Sequence, residues 1–312
     1  MRRAVGGCAW LFLILAGCRP SGHEGTVFVD PALLSLVPSD TVFLGGARMD
    51  ALAKTPTYQK HFSSVVFPGA EAFVQATGVD PQRDLWQLLA ASNGKQFVWL
   101  VRGRFSNGGA EPRLNLPNSR RLAYKGYAIT GNDAFGLAFL NASTAVAGGL
   151  DAVKLVLDGR ERSGPTPALM ALLRTVPRQA QLWAVGLGPL PELGAVVPKD
   201  GAWINADKLF ASLRSFALYA DLSSGLELHA RGLTASDEEA QRLTAAMKGL
   251  IGFARLSTPS QDAELLRAWD AVKVRQDGPS AQVEATMDQA LLEQLWNFIG
   301  SSRRRPPNPS FH

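Results

Sequence analysis

The sequence predicts an α+β protein in which antiparallel sheets carry helices on one face, with two similar halves as an option. Apolar or alternating β-type segments follow one another across short turns, which indicates hairpins rather than long crossover connections. Aspartate or serine repeatedly precedes an amphipathic helical segment. Of the 312 residues, 46% are hydrophobic, which suffices for a globular core.

The N-terminal residues have the pattern of a signal peptide. Arg2 and Arg3 precede an apolar run from Ala4 to Ala16. This run is shorter than the roughly twenty residues that a membrane-spanning helix requires. We therefore predict that residues 1–17 are a signal peptide that is removed.

The apolar run ends in Leu15-Ala16-Gly17-Cys18, which resembles the lipobox of bacterial lipoproteins. The resemblance implies cleavage before Cys18, a diacylglyceryl group on its sulfur and, usually, an acylated amino terminus. Because two or three acyl chains anchor a protein stably, we expect it to be tethered to the cell envelope. Arg19 is not the aspartate that retains lipoproteins in an inner membrane, so the periplasmic side of the outer membrane is favoured in a host with two membranes.

The net charge of +5 lies at the two ends of the chain. Arg2 and Arg3 leave with the signal peptide and Arg303 to Arg305 lie in the tail, so of 32 Lys and Arg the body keeps 27, against 27 Asp and Glu. A neutral body lacks the basic surface of a nucleic-acid binder. With Cys8 removed and Cys18 lipidated, no disulfide is available to the mature chain.

Five segments are predicted from these features. They are the signal peptide (1–17), the lipidated cysteine and tether (18–31), a first α+β half (32–178), a second α+β half (179–300) and a basic tail (301–312). The tail has no hydrophobic period, so we expect it to be disordered.

Turn residues and helix caps divide the first half into alternating elements. The predicted elements are a helical turn at Leu33 to Val37, a strand at Thr41 to Arg48, a helix capped by Asp50, a helix over Gly69 to Thr77, a helix opened by Asp80-Pro81 with Leu85, Leu88 and Leu89 on its inner face, strands at Gln96 to Val101, Leu122 to Thr130 and Phe135 to Val146, a helix capped by Asp151, and a helix at Pro167 to Thr175.

The second half contains the most strongly predicted helix, because Ser236 and Glu239 form a capping box before an apolar stripe. The other predicted elements are a strand at Gln181 to Leu187, a Pro/Gly loop at Gly188 to Gly201, a helix at Lys208 to Ser215, a hairpin of Phe216 to Asp221 with Leu226 to Leu233, a helix opened by Asp262, paired strands at Val272 to Val274 and Ala281 to Thr286, and a last helix capped by Asp288.

An apolar residue and an aspartate precede a helix three times, at Met49-Asp50, Leu150-Asp151 and Met287-Asp288. This recurrence has two interpretations, which the sequence leaves open. Aspartate is a good N-cap wherever a helix starts. Alternatively, the chain is an internal duplication of one sheet-and-helix unit.

The common catalytic signatures are missing from the sequence. There is no G-x-S-x-G nucleophile elbow, no H-E-x-x-H and no Cys/His cluster, so we predict no catalytic residue, metal ligand or cofactor. Gly94-Lys95 and Gly186 to Gly188 lack the rest of the nucleotide-binding motifs and are interpreted as turns. His229 is interpreted as an exposed strand residue. Paired carboxylates stay open, because the fold rather than the sequence sets their spacing.

The loop from Ser106 to Arg121 is the candidate partner-binding surface. It is rich in Asn, Gly and Pro and carries Arg113, Arg120 and Arg121. Loops on a rigid scaffold often bind partners. A solvated hairpin excursion is the alternative explanation.

Two short motifs, Val37 to Thr41 and Ala147 to Asp151, are similar to motifs in several uncharacterised families of exported bacterial proteins. The resemblance implies no activity. The resulting prediction is a lipid-anchored envelope protein that binds another protein, a lipid or a cell-wall component. The alternatives are a carboxylate-dependent enzyme, which two carboxyls facing each other in a cleft would favour, and an apolar-ligand carrier, which a large enclosed apolar cavity would favour.

Overall fold

The computed structural model describes residues 26–61, 79–105, 119–132, 135–159, 164–188 and 211–302. Several predictions lie outside these residues. They concern the signal peptide, Cys18, most of the tether, the helix over Gly69 to Thr77, Arg113, most of the loop at Gly188 to Gly201, the first three residues of the helix at Lys208 to Ser215, and the tail after Ser302. The described part of that last helix was predicted wrongly: residues 211–214 form turns and irregular structure, and Ser215 begins a strand whose pairing on both sides requires an extended backbone.

The described strands form one antiparallel sheet, so the predicted α+β class is confirmed. The spatial order of the 12 strands is β11-β12-β10-β9-β8-β1-β2-β3-β7-β6-β5-β4. Their bounds are β1 Phe43–Arg48, β2 Leu85–Ser92, β3 Phe97–Gly103, β4 Arg120–Tyr124, β5 Tyr127–Gly131, β6 Gly136–Asn141, β7 Thr144–Gly148, β8 Leu182–Leu187, β9 Ser215–Asp221, β10 Gly225–Leu233, β11 Val272–Asp277 and β12 Ser280–Asp288. The sheet therefore runs without interruption through both predicted halves.

The helices in the described part of the chain connect these strands. They are α1 Pro31–Leu34, α2 Met49–Leu52, α3 Pro56–His61, α4 Pro81–Asp84, α5 Leu150–Gly159, α6 Pro167–Leu173, α7 Asp237–Leu256, α8 Ala263–Asp270 and α9 Gln289–Ser302.

The main helices of the two halves pack on opposite faces of the sheet, and α3 of the first half packs against α9 of the second. In the first half, α1, α5 and α6 cover the face that carries Leu44, Leu89 and Leu100, each of them fully buried. We call this the first face. The first face continues into the second half, because Trp183 of β8 pairs with Gly46 of β1 and Tyr219 of β9 pairs with Trp183.

In the second half, α7, α8 and α9 cover the other face, which we call the second face. Leu228 and Ala285 lie opposite each other on β10 and β12 and pack against Leu291 of α9. Leu243 of α7 packs with Ala281 in a neighbouring cluster. The first face of these strands carries none of the helices α7 to α9.

The predicted helix stripe of Leu85, Leu88 and Leu89 is wrong. Asp80 does cap a helix as predicted, since its carboxylate accepts from the Gln82 amide at 3.0 Å, but α4 ends at Asp84. The next residues form β2, whose alternate side chains, from Gln87 to Ala91, are buried on the first face. A short apolar run is compatible with the period of a helix and with that of a strand. Here the hydrogen-bonded pairing with β1 and β3 makes it a strand.

Two predicted long strands are in fact hairpins. Lys125 and Gly126 both have positive φ, 48° and 81°, and join β4 to β5 in a tight turn. Likewise, β6 and β7 are joined at Ala142-Ser143, where the Asn141 carboxamide oxygen accepts from the Ser143 amide at 2.9 Å.

The three aspartates of the recurring motif have different roles. Asp288 is a cap as predicted, because its carboxylate accepts from the Leu291 amide at 2.8 Å. The predicted caps at Asp50 and Asp151 are wrong: α2 starts at Met49 and α5 at Leu150, so both aspartates lie inside the first helical turn. The capping box of α7 is present, with Ser236 Oγ accepting from the Glu239 amide at 3.3 Å.

Candidate functional site

A cleft of about 420 Å³ lies on the first face of the second half. Its floor is formed by β9, β10 and β12. Leu172 of α6 and Thr175, which follows the end of α6, contribute to its wall. A volume of this size suits a small molecule or a side chain of a partner. The polar and charged residues that line it are Ser215, Tyr219, His229, Arg231, Ser280, Gln282 and Glu284.

A stacked pair of rings stands in the floor of the cleft. Tyr219 and His229 lie directly opposite each other on β9 and β10. Their ring centroids are 4.9 Å apart and the ring planes differ by 18°. Each ring restrains the other, so their polar atoms have fixed positions in the cleft.

Two carboxylates flank the His229 imidazole. Glu227 Oε1 lies 3.1 Å from His229 Nε2, and Glu284 Oε1 lies 3.8 Å from His229 Nδ1. Arg275 donates to the same Glu284 oxygen and, through Nε, to Gln282 at 2.9 Å. The imidazole thus occupies the space between the carboxylates, and a cation from the edge strand neutralises one of them.

The electrostatics of the cleft keep Tyr219 protonated. Burial raises the pKa of its phenol to about 12, and the charges of Glu227 and Glu284 act in the same direction. Tyr219 is therefore a hydrogen-bond donor and not a base at neutral pH.

Arg231 completes the polar side of the cleft. Arg231 Nε donates to Ser280 Oγ at 3.2 Å, and its Nη2 lies 3.8 Å from Asp277 Oδ2. Its side chain is 61% exposed, so the guanidinium remains available to a ligand. Opposite charges alternate across the strands, which makes this surface polar but close to neutral.

The predicted site residues are not in this cleft. Arg120 and Arg121 were assigned to a loop, but they begin β4 at the edge of the sheet farthest from β11. His61 ends α3, where its ring lies 5.7 Å from that of Trp296. Of the residues discussed at the sequence level, the cleft contains His229, which is held by its neighbours rather than simply exposed.

The sequence contained part of the signal for this cleft. The predicted hairpin across Ser223 to Gly225 places Tyr219 opposite His229, as the structure shows. Glu284 reaches the same site only because β12 pairs with β10 after α7, α8 and β11 have intervened. Such a nonlocal pairing has no sequence spacing that would reveal it.

A second, apolar cavity of about 310 Å³ lies on the second face of the same strands, below α7. Leu243 and Met247 of α7 form one side of it. Its other large apolar residues are Phe43, Leu213, Phe216, Leu218 and Val283. The cavity is open to solvent rather than enclosed.

None of the helices in the described ranges has the length and apolar character needed to cross a membrane. Within the same ranges, no cluster of three His, Cys, Asp or Glu side chains is arranged to hold a metal ion.

Comparison with known proteins identifies no family. No family model and no curated protein matches the chain. Among solved structures, it is similar to crystal form I of TP0453, with a TM-score of 0.47, 10% identity and coverage of 88% of this chain and 98% of that chain. Crystal form III of TP0453 has a TM-score of 0.45, 12% identity and coverage of 88% and 99%.

Proposed function

We propose that the protein is a lipid-anchored cell-envelope binding protein, and that it binds through the cleft on the first face of β9, β10 and β12. The cleft itself supports this proposal: fixed polar groups surround a space of about 420 Å³ next to an apolar wall. Binding sites combine these features. The anchor rests on the lipobox that ends at Cys18.

The contacts in the cleft favour binding over catalysis. Glu227 and Glu284 are the type of carboxylate pair that a sugar-cleaving enzyme would require. Here, however, His229 fills the space between them and Arg275 is paired with Glu284. A substrate bond cannot lie between the two carboxylates while the imidazole is there.

A cleft-filling variant tests the proposal. Ala217 lines the floor without taking part in the ion pairs, so Ala217→Trp should block the cleft and leave its polar network in place. Binding is measured separately to purified sacculi, to a lipid extract and to membrane proteins, which identifies the fraction that binds the wild type. We expect the affinity of Ala217→Trp for that fraction to be at least about tenfold lower.

The matched control is Ala123→Trp on the exposed edge strand β4, which should bind like the wild type. Equal binding by Ala217→Trp would rule out the cleft. Loss of binding in an Arg120→Ala and Arg121→Ala double variant would instead place the partner at the edge that the sequence indicated.

The anchor has its own test, which is independent of the cleft. Cys18→Ser should abolish incorporation of labelled fatty acid and leave the signal peptide uncleaved or miscleaved. A Cys18→Ser protein that still incorporates label would contradict lipidation at this residue.

The apolar lining of the cavity below α7 supports a second candidate function, a carrier of an apolar ligand, although the cavity is open and not enclosed as a carrier was expected to require. Its lining is almost entirely hydrophobic side chains, and an acyl chain placed there would be removed from water. Ala184→Phe would narrow this cavity from the β8 side. A fluorescent fatty acid that binds the wild type and not this variant would support the carrier; no binding to either would exclude it.

A further inference from the structure

The N-terminal segment is fixed to the body at the end of α6. Thr26 forms a β-bridge with Pro177, and the Val27 amide donates to the Val176 carbonyl at 2.9 Å. Val27 and Val29 are buried in the main core. The chain between Cys18 and the body is therefore short: residues 19–25, which with the flanking bonds span at most about 28 Å.

Three arginines surround this attachment point. Arg174 caps α6, and its carbonyl lies 3.5 Å from the Thr26 hydroxyl. Arg48, at the end of β1, donates from Nη1 to the Arg178 carbonyl at 2.8 Å. Arg174 and Arg178 are exposed and Arg48 is half-buried.

These guanidinium groups are not neutralised within the described part of the chain. No ion pair joins Arg48, Arg174 or Arg178 to a described carboxylate, including Asp50, the acid nearest to Arg48 along the sequence. The arginines beside the cleft differ, because Arg231 lies near Asp277 and Arg275 pairs with Glu284. Because the body as a whole is neutral, the three arginines are a local excess of positive charge.

An exposed aromatic residue adjoins them. Phe28 is 59% exposed between the two buried valines, and its carbonyl accepts from Gln87 Nε2 at 2.9 Å. Gln87 in turn pairs with Arg48 across β1 and β2. We call Phe28, Arg48, Arg174 and Arg178 the tether-side patch.

We infer that the tether-side patch lies against an anionic membrane surface and orients the anchored protein. The inference rests on the proposed lipid anchor for its geometry. A tether of at most about 28 Å keeps Thr26 close to the bilayer, so the surface around Thr26 is a part of the protein that can contact the membrane. The groups found there are the ones that lipid phosphates attract, arginines with an aromatic side chain.

The orientation has a consequence for the cleft. Thr175, which lines the cleft, follows Arg174 directly in the chain. When the patch contacts the bilayer, the α6 wall of the cleft is at the membrane surface. The protein would then bind a ligand of the cleft at the membrane surface rather than in the bulk periplasm.

The test uses the purified mature protein reconstituted into vesicles. A single cysteine replaces Gln179, next to Arg178, and carries an environment-sensitive fluorophore; a second protein carries it at Ser260, an exposed position between α7 and α8. We expect a blue shift at position 179 in vesicles that contain phosphatidylglycerol, none in pure phosphatidylcholine, and none at position 260. The shift should disappear in high salt.

Matched charge variants identify the residues responsible. Replacing Arg48, Arg174 and Arg178 by Gln should abolish the shift, whereas replacing the exposed Lys95, Arg242 and Lys248 by Gln, with the same change in net charge, should not. A shift that survives the first replacement, or is lost equally in the second, would overturn the inference.

Failure of the anchor can be separated from failure of the patch. Mass spectrometry of the purified protein reports acylation at Cys18. If the protein is not acylated, the same variants added to preformed anionic vesicles test the patch alone. The patch variant should then show a roughly 100-fold lower partition coefficient than the control variant, and equal partition of the two would overturn the inference.

Discussion

Asp151 and Asp288 occupy different positions in similar motifs, so the same substitution should have different effects. Asp288→Ala removes the acceptor of the Leu291 amide and should lower the free energy of unfolding by about 1 kcal/mol. Asp151 is 82% exposed inside the first turn of α5, near Lys154, so Asp151→Ala should cost less than about 0.5 kcal/mol. Urea denaturation of the two variants measures both. Equal losses would contradict the cap assignment.

A buried carboxylate links α4 to β3. The Asp84 side chain is 4% exposed and pairs with Arg83 and Arg104. Burial by itself would raise the pKa of this carboxyl, but hydrogen bonds from Arg83, from the Asp80 amide and from Arg104 outweigh it and lower the pKa to about 2. The ionised form is therefore stabilised by folding.

This pKa predicts acid sensitivity with a defined sign. A depressed carboxyl pKa stabilises the protein above the unfolded value of 3.8, and the stabilisation is lost as the pH falls towards 2. The contribution is at most about 2 kcal/mol, because both arginines are more than half exposed. The stability difference between wild type and Asp84→Asn should shrink from pH 6 to pH 2. A constant difference would show that Asp84 stays protonated or unpaired.

At the scale of elements, the sequence predicted correctly those elements that depend on residues close together in the chain. The capping box before α7 and the hairpin of β9 with β10 follow from residues close together in sequence, and both are present. The stripe from Leu85 to Leu89 fits a helix equally well on local grounds, and only pairing with β1 and β3 makes it a strand. Predicting the cleft would likewise have required knowledge of strand pairing, because β10 and β12 are distant in the sequence.

The segment at Thr26 to Asp30 is an element that the sequence did not indicate. It was predicted as tether, yet its end is held by a part-buried network: Arg102 Nε donates to Asp30 Oδ2 at 2.7 Å, and the same guanidinium donates to Ser143 Oγ at 2.6 Å. The two valines of this short segment show no helix or strand period in the sequence. The residues that hold the segment lie on β2, β3 and the turn before β7, far away along the chain.

Breaking this network should release the segment. Arg102→Met leaves Asp30 part-buried without its cation and should lower the free energy of unfolding by about 2 to 3 kcal/mol. Limited proteolysis should then cut between residues 26 and 30. Arg267→Met, which removes an exposed pair with Glu264, is the matched control and should change stability by less than about 0.5 kcal/mol. Unchanged protection in Arg102→Met would show that the two buried valines suffice.

At the scale of the whole molecule, the junction of the two predicted halves is a continuous part of the sheet. β8 of the second half pairs with β1 of the first, and Trp183 of β8 is buried in the main core. The helices change faces here, and Trp183 and Val185 of the second half are buried in the core of the first. We therefore expect residues 32–178 and 179–300 to fold as one cooperative unit and not as two domains.

Gly46 offers a test of this cooperativity. Any side chain at Gly46 would overlap the ring of Trp183, which is 4% exposed and cannot move aside easily. Gly46→Ala should therefore lower the free energy of unfolding by about 1 to 3 kcal/mol, because the ring must shift within a packed core. If the molecule is one unit, calorimetry should show a single transition that moves to lower temperature as a whole.

Gly252→Ala in α7, where an added methyl group meets nothing, is the control and should be neutral or slightly stabilising. Two transitions, with only one displaced by Gly46→Ala, would mean that the halves unfold separately and that the sheet joins two domains.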